Sequence, residues 1–181
     1  TITANTQKIS SALAVAPDIL GMTGTRRYLV LFQNNAELRP TGGFIGSFAL
    51  VDLQNGELKN WEIPGGGSYD LKGSLRTRVA SPQPLHLVNA EWQFQDTNWY
   101  ADFPTSAQTI SRFYEKSGGP TTDGVIAINA RLVEQLLGII GPISMPTYNK
   151  TITSQNFALE TQKAVELEYD KTQNKPKQFV D

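Results

Sequence analysis

The stretch "DGVIAINARLVEQLLGIIGPI", residues 123–143, changes its apolar period part-way along. Residues 125–128 form a short unbroken apolar run, the pattern of a buried strand. Asn129 stands where a helix wants its N-cap. Leu132, Val133, Leu136 and Leu137 then recur at helical spacing and are expected to be buried. Gly141-Pro142 ends the helix, and residues 143–145 are expected to return to a sheet. Strand, helix, strand in that order implies an α/β architecture.

The flanks agree with this reading. Upstream, "FPTSAQTISRFYEK" (103–116) carries Phe103, Ala107, Ile110 and Tyr114 at helical spacing, with Pro104 in the first turn and Gly118-Gly119-Pro120 as the stop. "RRYLVLFQ" (26–33) reads as a central strand. Residues 43–53 and 57–63 make a hairpin about Asn55-Gly56, a pair suited to a tight turn. Ile9, Leu13, Ala16 and Leu20 predict a helix ending near Gly21. Downstream of the central unit, a hairpin or edge strand leads to a weaker helix begun by Thr153 or Ser154. The expected fold is a mixed-sheet α/β sandwich, one domain over 1–170. It carries an N-terminal helix over 1–21, a long loop over 64–90, and an exit linker or truncated C-terminal part over 171–181.

Composition removes several function classes. The chain has no cysteine, which excludes a thiol nucleophile, a disulfide framework and sulfur-ligated zinc. His86 is the single histidine and sits in the Pro-rich "SPQPLHLVNA", away from any nucleophile signature. A net charge of −1 provides no field for a polyanion, so no nucleic-acid partner is expected. No run approaches the ~20 apolar residues of a membrane helix. The chain starts without Met at Thr1, so it is expected to be cut from something longer, with any membrane anchor of the parent outside it.

Two clusters are candidates for chemistry. In "NNAELRPTGGFIGS" (34–47), Arg39 is flanked by Asn34, Asn35 and Thr41, and Gly42 and Gly43 allow backbone shapes that present amides. The stretch lacks the Gly-Lys-Ser/Thr of a phosphate-binding loop and the spacing of a dinucleotide fingerprint, and it feeds a strand. Either Arg39 grips a phosphate through its guanidinium fork, or it pairs with Glu37 or another carboxylate and the glycines only turn the chain. In "EWQFQDTNWYADFPTSA" (91–107), Asp96 and Asp102 lie six apart around Asn98, Trp99 and Tyr100. The two acids are candidates for holding magnesium, or for an acid and base pair of a glycosidase with aromatics against sugar. Alternatively Asp102 caps the following helix and the aromatics belong to the core.

"LFQNNAELRPTGGFIGS", "DTNWYADFPTSA" and "DGVIAINARLVEQLLGIIGPI", in that order, resemble the bacterial family known as domain of unknown function 4012. That resemblance covers roughly residues 26–157 and implies an envelope protein with an upstream membrane helix. More distantly, the element order is similar to the LytR-CpsA-Psr family, which transfers glycopolymers from a polyprenyl-pyrophosphate carrier to peptidoglycan. By that similarity Arg39 matches the first pyrophosphate-binding arginine. Pro40-Thr41 stand where an acid would follow, and Ile63-Pro64 lead into "GGGSYD" without an Arg-Asp pair, leaving Asp70, Asp96 or Asp102 to replace the acid.

The resemblance implies an extracytoplasmic cell-envelope domain with a fold similar to the LytR-CpsA-Psr catalytic domain. It would bind, and in the fuller reading transfer, a polyprenyl-(pyro)phosphate-linked glycopolymer. Arg39, Asp96 and Asp102 would be catalytic, with magnesium on the two aspartates. Asn34, Asn35, Thr41, Gly42, Gly43, Asn98 and Trp99 would bind substrate. The alternative is a non-catalytic module of the envelope that binds cell-wall glycan or a protein.

Overall fold

The computed structural model describes residues 2–75 and 78–166, so Arg76 and the expected linker over 171–181 lie outside the described residues. Helix α1 (Ile2–Ile19) precedes strand β1 (Arg26–Asn34) and the hairpin β2 (Phe44–Gln54) and β3 (Glu57–Glu62). Helix α2 (Phe103–Lys116), strand β4 (Gly124–Asn129) and helix α3 (Ala130–Ile140) follow, then β5 (Ile143–Met145), β6 (Lys150–Ile152) and α4 (Phe157–Glu166). The main sheet has the order β3-β2-β1-β4, with β1 antiparallel to β2 and parallel to β4. This is the expected α/β sandwich with a mixed sheet.

Alternation along β1 decides what lies where. Leu29 and Leu31 are fully buried and join Phe48 and Leu50 of β2 on one face of the sheet. Against that face pack Ile110, Phe113 and Tyr114 of α2, together with Trp92 and Phe94. The aromatics meet edge to face, Phe48 with Phe94 at 5.3 Å and with Tyr114 at 5.5 Å, a geometry that adds to their area burial. Helix α3 packs against β1, β4 and α4.

One expectation is corrected and another made more definite. Only Leu137 of α3 is buried, while Leu132 and Leu136 are 40% and 48% exposed. Helical spacing marks an apolar face but does not say how much of it a neighbour covers. Residues 143–145 do enter a sheet, but it is a separate two-stranded one with β6. Ile143 pairs with Ile152 and Met145 with Lys150, the hairpin closing through Asn149 in the left-handed region. The long loop is also less irregular than its composition suggests. It holds single 3-10 turns at Gly67–Leu71 and Gln83–Leu87 and a bridge between Ala80 and Glu91.

The register of β1 against β2 slips once. Phe32 faces Ser47 and Gln33 faces Ile45, so Gly46 is an extra residue, a β-bulge. Its effect is to put both Ile45 and Phe48 in the core while Ser47, between them, points to the other face. The Ser68 hydroxyl donates to the Gly46 carbonyl at 3.3 Å and ties the long loop to the bulge.

At the opposite end of the sheet, Arg27 donates to both carboxylate oxygens of Asp52, at 2.7 and 2.9 Å. These hydrogen bonds hold the Asp52 pKa below the ordinary carboxylate value, against the opposing effect of burial. A folded-state pKa below the unfolded one gives stability that is present above the unfolded value of about 4 and disappears as pH falls through the folded one. Urea midpoints measured from pH 7 downward should therefore fall below about pH 4, and Asp52→Asn should flatten part of that decline.

Candidate functional site

The β1–β2 connection is built by its own side chains. Asn34 Oδ1 accepts from the Ala36 amide at 3.0 Å, the Asx turn to which asparagine is suited. Its Nδ2 donates to Glu37 at 3.0 Å, and the Phe44 amide donates to the Glu37 carbonyl at 3.1 Å. Gly42 and Gly43 have φ of 77° and 126°. A Cβ on Gly42 would meet the Gln33 carboxamide, and one on Gly43 would meet the Asn34 carbonyl. Only glycine fits both the torsions and the space.

A second segment holds this connection in place. Asn98, with no exposed surface, donates through Nδ2 to the carbonyls of Thr41 at 3.0 Å and Gly43 at 2.7 Å. Gln33 Nε2 donates to the same Thr41 carbonyl at 2.7 Å, and Thr41 Oγ1 donates back to the Asn98 carbonyl at 3.3 Å. The 94–102 segment is itself fixed: Trp92 Nε1 donates to the Asp96 carbonyl at 3.0 Å and Thr97 Oγ1 to the Phe94 carbonyl at 2.6 Å. Asn98 thus faces into the protein, a clamp between segments and not a surface group.

Arg39 and Asp96 are brought together by this clamp. Arg39 Nη2 donates to Asp96 Oδ1 at 3.2 Å, Nη1 donates to the Leu38 carbonyl at 2.9 Å, and the guanidinium lies 5.2 Å from the Phe44 ring centroid. The Arg39 side chain is 24% exposed and that of Asp96 10%. Of the two alternatives open in the sequence, Arg39 does pair with a carboxylate, and the carboxylate is Asp96, not Glu37. Its Nε is buried without a hydrogen-bond partner, so the guanidinium retains donor capacity.

Asp102 is engaged elsewhere. Its Oδ2 accepts from the Thr105 hydroxyl at 2.6 Å and the Thr105 amide at 3.0 Å, as the N-cap of α2. Those bonds, the hydroxyl's first, hold its pKa below the ordinary value. Asp70 likewise accepts from the Gly66 amide at 2.9 Å. Trp99 is partly buried against the core, whereas Tyr100 is 42% exposed. Among the described residues no group of three or more acids and histidines stands together as a metal site. Magnesium needs only one or two carboxylates when phosphates supply the rest.

A cavity of about 320 Å³ opens where β1 and β4 end side by side. Its apolar lining includes Phe32, Ile128, Val133 and Phe157, and its polar lining Asn34, Asn35, Glu37, Asn129 and Glu134. Ser47 and Thr161 also line it. The connection therefore serves two places: Asn34 and Asn35 belong to the cavity, Arg39 to the pair with Asp96. Crevices beyond the carboxyl ends of parallel strands are habitual ligand sites. The sequence shows both strands but not that Ser47, Glu134 and Thr161 converge there.

A sequence profile described as "Protein of unknown function (DUF4012)" matches residues 23–165, well over half of the chain. No curated protein and no solved structure matches it.

The clamp makes a stability prediction. Asn98→Asp places a carboxylate against two carbonyls and should cost ~3 kcal/mol or more at pH 7, beyond the ~1 to 3 kcal/mol of Asn98→Ala. Urea unfolding checks this. The gap between the two variants should narrow at acidic pH, where protonation of the introduced carboxyl restores a donor.

Proposed function

The chain belongs to the DUF4012 family, and from that footing we propose that it binds a polyprenyl-(pyro)phosphate-linked glycopolymer as an extracytoplasmic domain of the bacterial envelope. The observation that carries the reading is Arg39. It is partly exposed, stacked on Phe44, opposed by a single carboxylate oxygen of Asp96, and left with an unpartnered Nε. A phosphate group offers the guanidinium several acceptor oxygens, where Asp96 offers one at 3.2 Å. Binding would exchange Asp96 for phosphate and leave Asp96 available to magnesium. No helix among the described residues is long and apolar enough to cross a membrane.

Transfer of the polymer to peptidoglycan, the activity of the distantly similar LytR-CpsA-Psr family, is the fuller form of this proposal. What favours it is the adjacency of Arg39 and Asp96, one group for pyrophosphate and one for the metal. Asp102 contributes less to it, because helix α2 already uses its carboxylate. That same cap weighs against a glycosidase pair formed with Asp96. The rival reading is a non-catalytic module for cell-wall glycan or a protein, without metal. The exposed Tyr100 beside Trp92, at 6.3 Å between ring centroids, favours it.

Titration of the domain with a short-chain polyprenyl pyrophosphate, with and without magnesium, separates these readings. Arg39→Ala should weaken binding about ten- to hundredfold, the equivalent of the ~1.5 to 3 kcal/mol of a charged hydrogen bond. Asp96→Asn gives opposite signs. It should weaken binding in magnesium if Asp96 takes the metal, and tighten it if Asp96 is only the counter-ion of Arg39. Unchanged binding in Arg39→Ala rejects the phosphate assignment.

A further inference from the structure

We infer that the cavity at the carboxyl ends of β1 and β4 is a subsite for an uncharged sugar residue, separate from the Arg39 pair. This deepens the glycopolymer reading and rests on it for the source of the sugar.

Two buried hydroxyls point to a ligand. Ser47 is 3% exposed, lines the cavity, and has a hydroxyl oxygen with no hydrogen-bond partner. Thr161 of α4 also lines the cavity, and its buried hydroxyl oxygen is likewise unpartnered. Buried polar atoms are nearly always paired, and leaving one unpaired is costly. A ligand with its own hydroxyls, seated in the cavity that both residues line, would offer each of them a partner.

The lining decides the class. Carboxamides of Asn34, Asn35 and Asn129 both donate and accept, which suits hydroxyl groups that do the same. Glu37 and Glu134 add acceptors. Phe32, Ile128, Val133 and Phe157 give apolar lining that suits the C–H face of a ring. A phosphate is opposed by the two carboxylates, and no Lys, Arg or His is among the described lining residues. The volume of about 320 Å³ lies at the small end of ligand pockets. The position fits a polymer whose phosphate lies at Arg39, since one short connection, 34–39, borders both places.

The test is titration of the intact domain with N,N′-diacetylchitobiose, cellobiose, maltose and methyl mannoside, followed by amide chemical shifts. Inorganic phosphate and 1,5-diaminopentane serve as charged comparators. At least one sugar should bind saturably and more tightly than either comparator, with shifts centred on Ser47, Asn35 and Asn129. Ser47→Ala and Thr161→Val should each weaken it about fivefold, the effect of one lost hydrogen bond, while thermal stability holds or rises. Arg39→Ala should leave sugar binding unchanged. Failure of all four sugars, stronger binding of a comparator, or indifference to both hydroxyl variants overturns the subsite. Sugar binding without pyrophosphate binding would retain the subsite and reject the phosphate assignment, and the converse result would do the reverse.

Discussion

One carboxamide carries the arrangement on which the candidate site depends. Asn98 reaches across 55 and 57 positions of sequence to hold the carbonyls of Gly43 and Thr41. A glycine pair at positive φ has little preference of its own for one path, and its conformational freedom opposes folding. Two short hydrogen bonds in a site without water access offset that cost where local sequence cannot. With the connection so fixed, Arg39 and Asp96 are neighbours by construction. The ion pair is then a consequence of the clamp and adds only what a partly exposed pair adds.

The sheet supplies the rest. Parallel β1 and β4 finish at the same level, so the residues leaving them, Asn34 and Asn35 on one side and Asn129 on the other, border a common space. The chain uses asparagine at each exit for a local reason as well. Asn34 makes an Asx turn and Asn129 caps α3. A turn-forming or capping residue at a strand end is therefore also a lining residue here, and the two roles share one side chain.

The strands and helices were largely legible, because each rests on signals local in sequence. Asn55-Gly56 turns the hairpin with both residues at positive φ, Pro104 and Asp102 start α2, and Asn129 starts α3. What escaped depends on distant pairing. Arg39 pairs with Asp96 across 57 positions, and nothing near it in sequence selects that carboxylate over Glu37. The spacing of Leu132 and Leu136 gives the apolar face of α3 but not the extent of its cover. Residues 143–145 read as a strand, yet their partner is the following segment and not the main sheet. Ser47 falls within the expected strand over 43–53, but its face does not follow from alternation. Its direction follows from a bulge visible only once β1 and β2 are in register.

That bulge separates two kinds of selective pressure. Were residues 45–48 to alternate regularly with no bulge at Gly46, Ser47 and Ile45 would lie on the same side of β2, and changing one would disturb the packing of the other. With it, Ile45 and Phe48 answer to the core while Ser47 answers to the opposite face. Within the one strand β2, substitutions that tune recognition at Ser47 are shielded from those that would endanger folding. The same backbone can thus diversify in what it binds while its interior stays constant.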